Sequence, residues 1–380
     1  MKKIGNYFFP DTDIHFQRWV LDGEYQKKQR DDLFLKMNSI KTIKRICDIG
    51  GHVGTWSVPM AQYKDTEMIF AFEPNERVRE CFVENTLPYK DKNYEYWTKT
   101  TKEGNYFKKF RKKINDSKIE CYFDGDLEAK GKKFFSTGDL AVSYDDKLLA
   151  FSIDDKGGEY FTIFVRRISD NKIIEKIENT AGGVLWAYDD KSFFYRKHDS
   201  QKRPRKIFQH KLGTSINDDK LIFEEKDERF TCSIDTTSCE QFYIIETGEH
   251  TTTEVYFFHK SEKIFKPKLF IKREEGILYN IDSFNGYWYM HTNKKAEDFK
   301  VLRCKHEKLN DWDDFIPSKN GVLIGGLTFL KNWILRTEVS DALQKVFVRN
   351  VKTNKEEQLI FTDEKVISPG VALLQKDKNT

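Results

Sequence analysis

Five polar turns, each leading into an aromatic or aliphatic run, recur along the chain: DDKLLAFS at 145–152, DDKSFFYR at 189–196, SCEQFYIIET at 238–247, FNGYWYMHT at 284–292 and LKNWILRTE at 330–338. With Lys147, Lys191, Gln241, Gly286 and Asn332 taken as equivalent points, the steps are 44, 50, 45 and 46 residues. Four short strands and their turns occupy about that length, which is the period of one propeller blade. A β-sandwich is the alternative, but its strands do not recur at this interval in so many copies. Between the markers, TIFVRRISDNK and KVFVRNVKTNK read as third strands running into hairpins. From about residue 88 helical periodicity disappears and the chain reads as all-β. Opening strands near Tyr94–Lys113 together with the five markers give six blades.

At 380 residues the chain is long enough for two domains, each with its own core. The 65 basic and 61 acidic residues leave a formal charge of only +4, so the lysines form a dispersed solvated surface and no nucleic-acid partner is indicated. No apolar run has the length of a membrane span, and the start MKKIGNYFFPDTDIHF lacks the unbroken apolar stretch of a signal peptide. A cytoplasmic location is expected. Cys47, Cys81, Cys121, Cys232, Cys239 and Cys304 are scattered without a Cys-x-x-Cys pair, which reads as structural thiols in a reducing compartment. Cys232 and Cys239 are spaced to neighbour each other across a strand bend. No histidine accompanies them at a ligand spacing, and no metal site is expected.

The first 86 residues have a different character. Ile43–Ile49 is a short apolar run with Asp48 near its end; Gly50, Gly51 and Gly54 make a turn; Thr55–Tyr63 can supply a helix; Met68–Phe72 reads as a second strand ending at Glu73. In nucleotide-binding α/β sheets the acid at the tip of the second strand accepts hydrogen bonds from ribose hydroxyls. Glu73, nineteen residues after Gly54, is placed for that role. The stretch resembles the FkbM-type S-adenosylmethionine-dependent methyltransferases, whose glycine turn is followed by a segment like Phe72, Glu73, Pro74 and Asn75. The resemblance implies that Asp48, Gly50 and Gly54 approach the methionine end of S-adenosylmethionine and that Glu73 meets its ribose. Gly51 and His52 depart from the Ala-Asn pair of that pattern, and His52 reads as an exposed loop residue. The resemblance covers about residues 30–86, a small Rossmann-like α/β fragment. Half of such a site is expected to bind its cofactor weakly.

The run from about Leu87 to Gly370 resembles the N-terminal β-propeller of the prolyl oligopeptidase family of serine peptidases, and within it the oligopeptidase B branch. The segments that carry the resemblance, in order, include YEYWTKTTKEGNYFKKFRKK, FSTGDLAVSYDDKLLAFSIDDKGGE, IENTAGGVLWAYDDKSFFYRKHD, RPRKIFQHKLGT, FEEKDERF and HTTTEVYF. Tyr144 departs from it, standing where a Ser-Pro-Asp-Gly-like turn has proline. The resemblance implies a propeller that stands over an α/β-hydrolase domain, limits access to short peptides and carries no catalytic residue of its own. The Ser-His-Asp triad belongs to the hydrolase domain. No Gly-x-Ser-x-Gly elbow occurs, and the chain stops at Thr380, before that domain is expected to begin. The family propeller has seven blades, so the expected fold is mainly β: an incomplete, about six-blade propeller over 87–380 behind the α/β fragment at 1–86. EEKDERF at 224–230 reads as a solvated turn, the alternative being an acidic loop that contacts basic peptides.

Three functions follow. The first is an oligopeptidase-B-like access domain for short peptides, not hydrolytic alone, with a separate hydrolase domain as a possible partner. The second is a methyltransferase whose propeller recruits its substrate. The third is a non-enzymatic module that binds peptides or proteins. A join between two genes near residues 85–90 would account for the switch in character. The α/β fragment is expected to be marginal alone, since two strands make too small a parallel sheet.

Overall fold

The computed structural model describes residues 2–4, 7–9, 45–49, 68–72, 89–100, 104–309 and 311–359. The DDK turns show how the sequence starts each repeat. In the first, the Asp145 carboxylate accepts the Lys147 N–H at 3.1 Å, and Asp146 takes the left-handed conformation at φ 63°. The second repeats this: Asp189 accepts the Lys191 and Ser192 N–H groups at 2.9 and 3.0 Å, and Asp190 sits at φ 52°. Aspartate suits both positions, because its short carboxylate closes on nearby backbone donors and it tolerates a positive φ. In the fourth marker Asn285 and Gly286, at φ 48° and 78°, form a two-residue hairpin in which Phe284 pairs with Tyr287.

Every marker is the turn between the first and second strands of a four-stranded sheet, and the described residues contain six such sheets. Sheet one is Tyr89–Asp91, Tyr94–Thr100, Phe107–Lys113 and Ile119–Asp124. Sheet two is Ser136–Val142, Leu148–Asp154, Phe161–Arg167 and Ile173–Thr180. Sheet three is Val184–Trp186, Ser192–His198, Pro204–Lys211 and Lys220–Glu224. Sheet four is Thr231–Thr236, Phe242–Gly248, Thr253–His259 and Lys268–Ile271. Sheet five is Tyr279–Phe284, Tyr287–Thr292, Lys300–Lys305 and Asp313–Ile316. Sheet six is Leu323–Leu330, Trp333–Ser340, Leu343–Asn350 and Glu356–Gln358. The strands of each sheet lie in chain order, as an antiparallel meander requires. By contact the chain divides into two compact units, residues 129–329 and residues 1–128 with 330–380.

In the unit 129–329 the cores lie between successive sheets. Trp186, Phe193 and Tyr195 of sheet three are buried against Ala150, Ile163 and Val165 of sheet two. Phe194 and Ile207, also of sheet three, pack with Tyr243, Ile245 and Phe258 of sheet four. Val255 of sheet four joins Trp288, Met290 and Cys304 of sheet five. Packing on both faces explains why the second strand Leu148–Asp154 is buried along nearly its whole length, with no alternation. The fourth strands of sheets three and four are more exposed; Leu221 and Leu269 show 48% and 44% of their surface.

The turns are also docked sheet to sheet. The Tyr144 N–H donates to Asp190 Oδ1 at 2.6 Å, the Tyr188 N–H to the Tyr243 hydroxyl at 2.9 Å, and the Ser238 N–H to Asp282 Oδ1 at 2.6 Å. Tyr144 further stacks on Tyr188, ring centroids 4.4 Å apart.

Two expectations change. Gly125–Ala129 is a short helix inside the stretch read as all-β, and Asp124 starts it by accepting the N–H groups of Asp126 and Leu127 at 3.1 and 3.2 Å. The EEKDERF run is not a solvated turn throughout. Glu225 and Phe230 are buried, and Arg273 Nη2 lies 2.6 Å from Glu225 Oε2 and 3.0 Å from Glu254 Oε1, its guanidinium 4.2 Å above the Phe230 ring.

At the front of the chain, Arg45–Ile49 pairs in parallel with Met68–Phe72, with Asp48 opposite Ala71. These are the two strands read from the sequence. Gly50, Gly54, Glu73, His52 and the helix expected at Thr55–Tyr63 lie outside the described residues. A small antiparallel pair, Lys2–Ile4 with Tyr7–Phe9, precedes them.

Candidate functional site

A cleft of about 820 Å³ in the unit 129–329 opens between sheets three and four. One wall carries Arg196, Arg203 and Arg229; the other carries Glu246, Glu249 and Glu275. The positive wall comes from the second strand of sheet three, the hairpin after it and the connection into sheet four. The negative wall comes from the second strand of sheet four, its hairpin and the connection into sheet five. The meander places these walls, since it brings the end of one sheet against the start of the next.

Three of these charges are already engaged. Arg229 Nη2 lies 2.8 Å from Asp227 Oδ2, the Arg203 guanidinium reaches the backbone carbonyls of Glu228 and Arg229 at 3.4 Å, and Glu249 accepts the Thr251 hydroxyl at 2.5 Å. Arg196, Glu246 and Glu275 differ from them, having no ion pair or side-chain hydrogen bond among the described residues. The Arg196 guanidinium lies across Gly183, where an added Cβ would stand 2.7 Å from Nε and 3.0 Å from Nη2. Glycine is what lets the arginine lie flat there. Glu246 is open to solvent at the surface of a concave wall.

A smaller cleft of about 340 Å³ adjoins this one through Ser233 and Glu246, which line both and face each other across paired strands. It runs along the first strands of sheets four, five and six, where Asp235, Asn280 and Gly326 supply its walls. His291 closes one side, its Nε2 at 2.8 Å from the Ile324 carbonyl oxygen and its ring stacked on Phe299. Burial holds the His291 pKa below the ordinary value, favouring the neutral ring.

Two side-chain pairs resemble parts of a hydrolytic triad, and both are interior. Ser283 Oγ is 2.8 Å from His306 Nε2 and accepts from Cys239 Sγ at 3.2 Å, but Ser283 is fully buried and no substrate carbonyl can reach it. His210 Nδ1 is 2.7 Å from Asp219 Oδ1, and Asp219 Oδ2 accepts the Tyr195 hydroxyl at 2.6 Å, again with His210 only 1% exposed. The pairs belong to different sheets. They are polar links within the packing.

The described cysteines are unpaired. Cys232 is packed in the core below the cleft, where burial pushes its thiol up to about 12 against the opposing pull of Arg196. Cys304 is pushed up to about 11, also by burial. Cys239 lies instead in a turn against Ser283 and Thr237, so the two cysteines read as neighbours occupy different surroundings. Of the cofactor-facing residues named from sequence, Asp48 falls within Arg45–Ile49, and Gly50, Gly54 and Glu73 fall outside the described residues. The Arg196–Glu246 cleft was not found from sequence. Its one sequence signal is the Gly182-Gly183 pair ahead of Val184–Trp186.

The family model described as prolyl oligopeptidase, N-terminal beta-propeller domain, matches residues 80–380. The chain belongs to that family. The propeller match is wider at both ends than the run from Leu87 to Gly370 recognised from its segments. Among curated proteins this propeller chain is 24% identical over 250 residues to dipeptidyl aminopeptidase BI of Pseudoxanthomonas mexicana, covering 64% of this chain and 34% of that protein. It is 25% identical over 254 residues to Protease 2 of Moraxella lacunata, covering 63% and 36%. Oligopeptidase B from Leishmania major is similar in fold, with a TM-score of 0.69 at 21% identity over 73% of this chain and 41% of that one. So is oligopeptidase B from Trypanosoma brucei, solved in a closed form with covalently bound antipain, with a TM-score of 0.67 at 24% identity and the same shares. The chain spans about a third of the length of the curated relatives it matches.

Proposed function

We propose that this chain is an oligopeptidase-B-like access domain, an incomplete propeller of about six blades that admits short peptides to a serine-peptidase hydrolase domain and contributes no catalytic residue itself. The observation that carries this reading is the family match over 80–380, joined to an open cleft walled by charges of both signs. In this reading a Ser-His-Asp triad on the hydrolase domain performs acyl transfer, with its serine activated by the histidine and the oxyanion held by backbone donors. The propeller's part is selection by size and charge before the bond is reached. A cytoplasmic setting fits the free thiols.

The test is hydrolysis of a short fluorogenic peptide with a basic residue before the scissile bond, with a serine-directed inhibitor as control. The purified chain is expected to bind the peptide and leave it intact. Inhibitor-sensitive turnover would place a nucleophile in this chain and overturn the reading.

One observation favours a second activity at the front of the chain: the parallel pairing of Arg45–Ile49 with Met68–Phe72, the arrangement a strand–turn–strand nucleotide site requires. Asp48, Gly50, Gly54 and Glu73 would hold S-adenosylmethionine there. Calorimetric titration with S-adenosylmethionine tests it, and absence of heat at millimolar ligand removes it.

A further inference from the structure

The chain contains the dipeptide Asn-Gly twice, at 285–286 and 320–321. Glycine after asparagine leaves the main-chain nitrogen unshielded by a Cβ, so that nitrogen can approach the asparagine Cγ. The two pairs stand in different surroundings. Asn285 and Gly286 are the loop residues of a tight hairpin, closed by the Phe284–Tyr287 pair, and the Gly286 carbonyl accepts the His306 N–H at 3.1 Å. Asn320 and Gly321 lie in the connection from Asp313–Ile316 to Leu323–Leu330, where residues 317–321 are all exposed. Val322 closes that turn, its N–H donating to the Lys319 carbonyl at 3.1 Å. Gly321 sits at φ 69° with no atom within 4 Å of the place a Cβ would fill. Its N–H donates to Asp298 Oδ2 at 3.2 Å. Asp298 is itself anchored, its carbonyl accepting the Ile324 N–H at 2.9 Å. The nitrogen that follows Asn320 therefore has a carboxylate on its proton, whereas the Gly286 N–H meets none among the described residues.

We propose that Asn320–Gly321 is a self-modifying turn, in which the chain converts its own asparagine to aspartyl and isoaspartyl products with Asp298 as the base. The Gly321 nitrogen forms a bond to Asn320 Cγ, and its proton passes to Asp298 Oδ2. The Cγ–Nδ2 bond then breaks, and ammonia leaves with the proton that Asp298 returns. One water opens the resulting five-membered imide at either of its carbonyls, giving aspartate or isoaspartate at position 320. Water is the one co-reactant. A carboxylate held at hydrogen-bond distance on the attacking group has the geometry of a general base. Either product carries a negative charge near Asp298, and the isoaspartyl form adds a carbon to the main chain of the connection. The contact between Gly321 and Asp298 is weakened once the reaction has run.

The experiment incubates the full chain at neutral pH in heavy-oxygen water, folded and in urea, and follows label uptake at both Asn-Gly pairs by peptide mass mapping. Each event leaves one heavy oxygen in the peptide that carries it. In the folded chain Asn320 is expected to convert about tenfold faster than Asn285, a modest share of what a positioned base supplies. In urea the surroundings are gone and the two rates should converge. Asp298→Asn keeps an acceptor oxygen for the Gly321 N–H and removes the base, so it should erase the lead of Asn320 while leaving the Asn285 rate as it was. That unchanged rate, with an unaltered far-ultraviolet spectrum, reports that the variant is folded. Equal rates in the folded chain, or a lead by Asn285, overturn the proposal. A lead that survives Asp298→Asn, or that persists in urea, overturns it as well. If Asp298→Asn does not fold, the comparison of folded and urea-treated unaltered chain still decides.

Discussion

Arg273 shows how much a single side chain can do in this molecule. It joins Glu225, at the end of sheet three, to Glu254, in sheet four, and its guanidinium covers Phe230. Removing one member of a buried charged group strands the others without compensation, so Arg273→Ala should cost about 3 kcal/mol of stability, read as a lower urea midpoint. Glu254 supplies a pH signature. Burial alone would raise its carboxyl, but Arg273, the Arg273 backbone N–H and the Tyr256 hydroxyl together hold it below the ordinary range. Its contribution is therefore complete above the unfolded value of about 4.3 and lost as pH falls through the lower folded value. Glu254→Gln should flatten the acid limb of a stability–pH curve, and a limb of unchanged slope would contradict this. The sequence hid the group: EEKDERF has the composition of a solvated turn, and the partner that buries its second glutamate lies 48 residues further on. The same distance effect hid Arg196, whose placement depends on Gly183 across a strand pair.

Strands and turns were legible to a much greater degree. Each marker run fell on the turn and second strand of a sheet, because Asp, Asn and Gly are required by backbone conformation and the run after them must be apolar on both faces. The third strands TIFVRR and KVFVRN were legible for the same reason. The helix at Gly125–Ala129 was not, since its five residues are too few to display a 3.6-residue period. One turn is still poorly matched to its conformation. Asp341 and Ala342, at φ 54° and 58°, link Ser340 to Leu343, and alanine has no feature that favours this region. Ala342→Gly is expected to raise stability by about 1 kcal/mol, seen as a higher melting temperature. A second prediction concerns docking between sheets. Tyr243→Phe removes only the hydroxyl that accepts the Tyr188 N–H, leaving that donor without its partner, and should lower stability by about 1–2 kcal/mol with the core intact by near-ultraviolet circular dichroism.

Across the whole molecule, sheets two to five form a linear series in which each is packed against its neighbours in the chain, a pattern in which stability accumulates at shared interfaces. A fragment of residues 129–322, holding these four sheets, is expected to keep a β-type far-ultraviolet spectrum and to unfold cooperatively in urea. Gradual melting without a transition would show that the remaining sheets are needed for cooperativity. Because the cores of sheets two to five lie between sheets, each of these clusters is shared by two neighbours. Phe194, for example, belongs to sheet three by hydrogen bonding and to the sheet-four cluster by packing. A length change inside a second strand would therefore disturb two interfaces together, whereas the addition or removal of an entire repeat alters only the places where it is spliced in. Such a chain can change size over generations in steps of about 45 residues, and it has little room to do so in smaller ones.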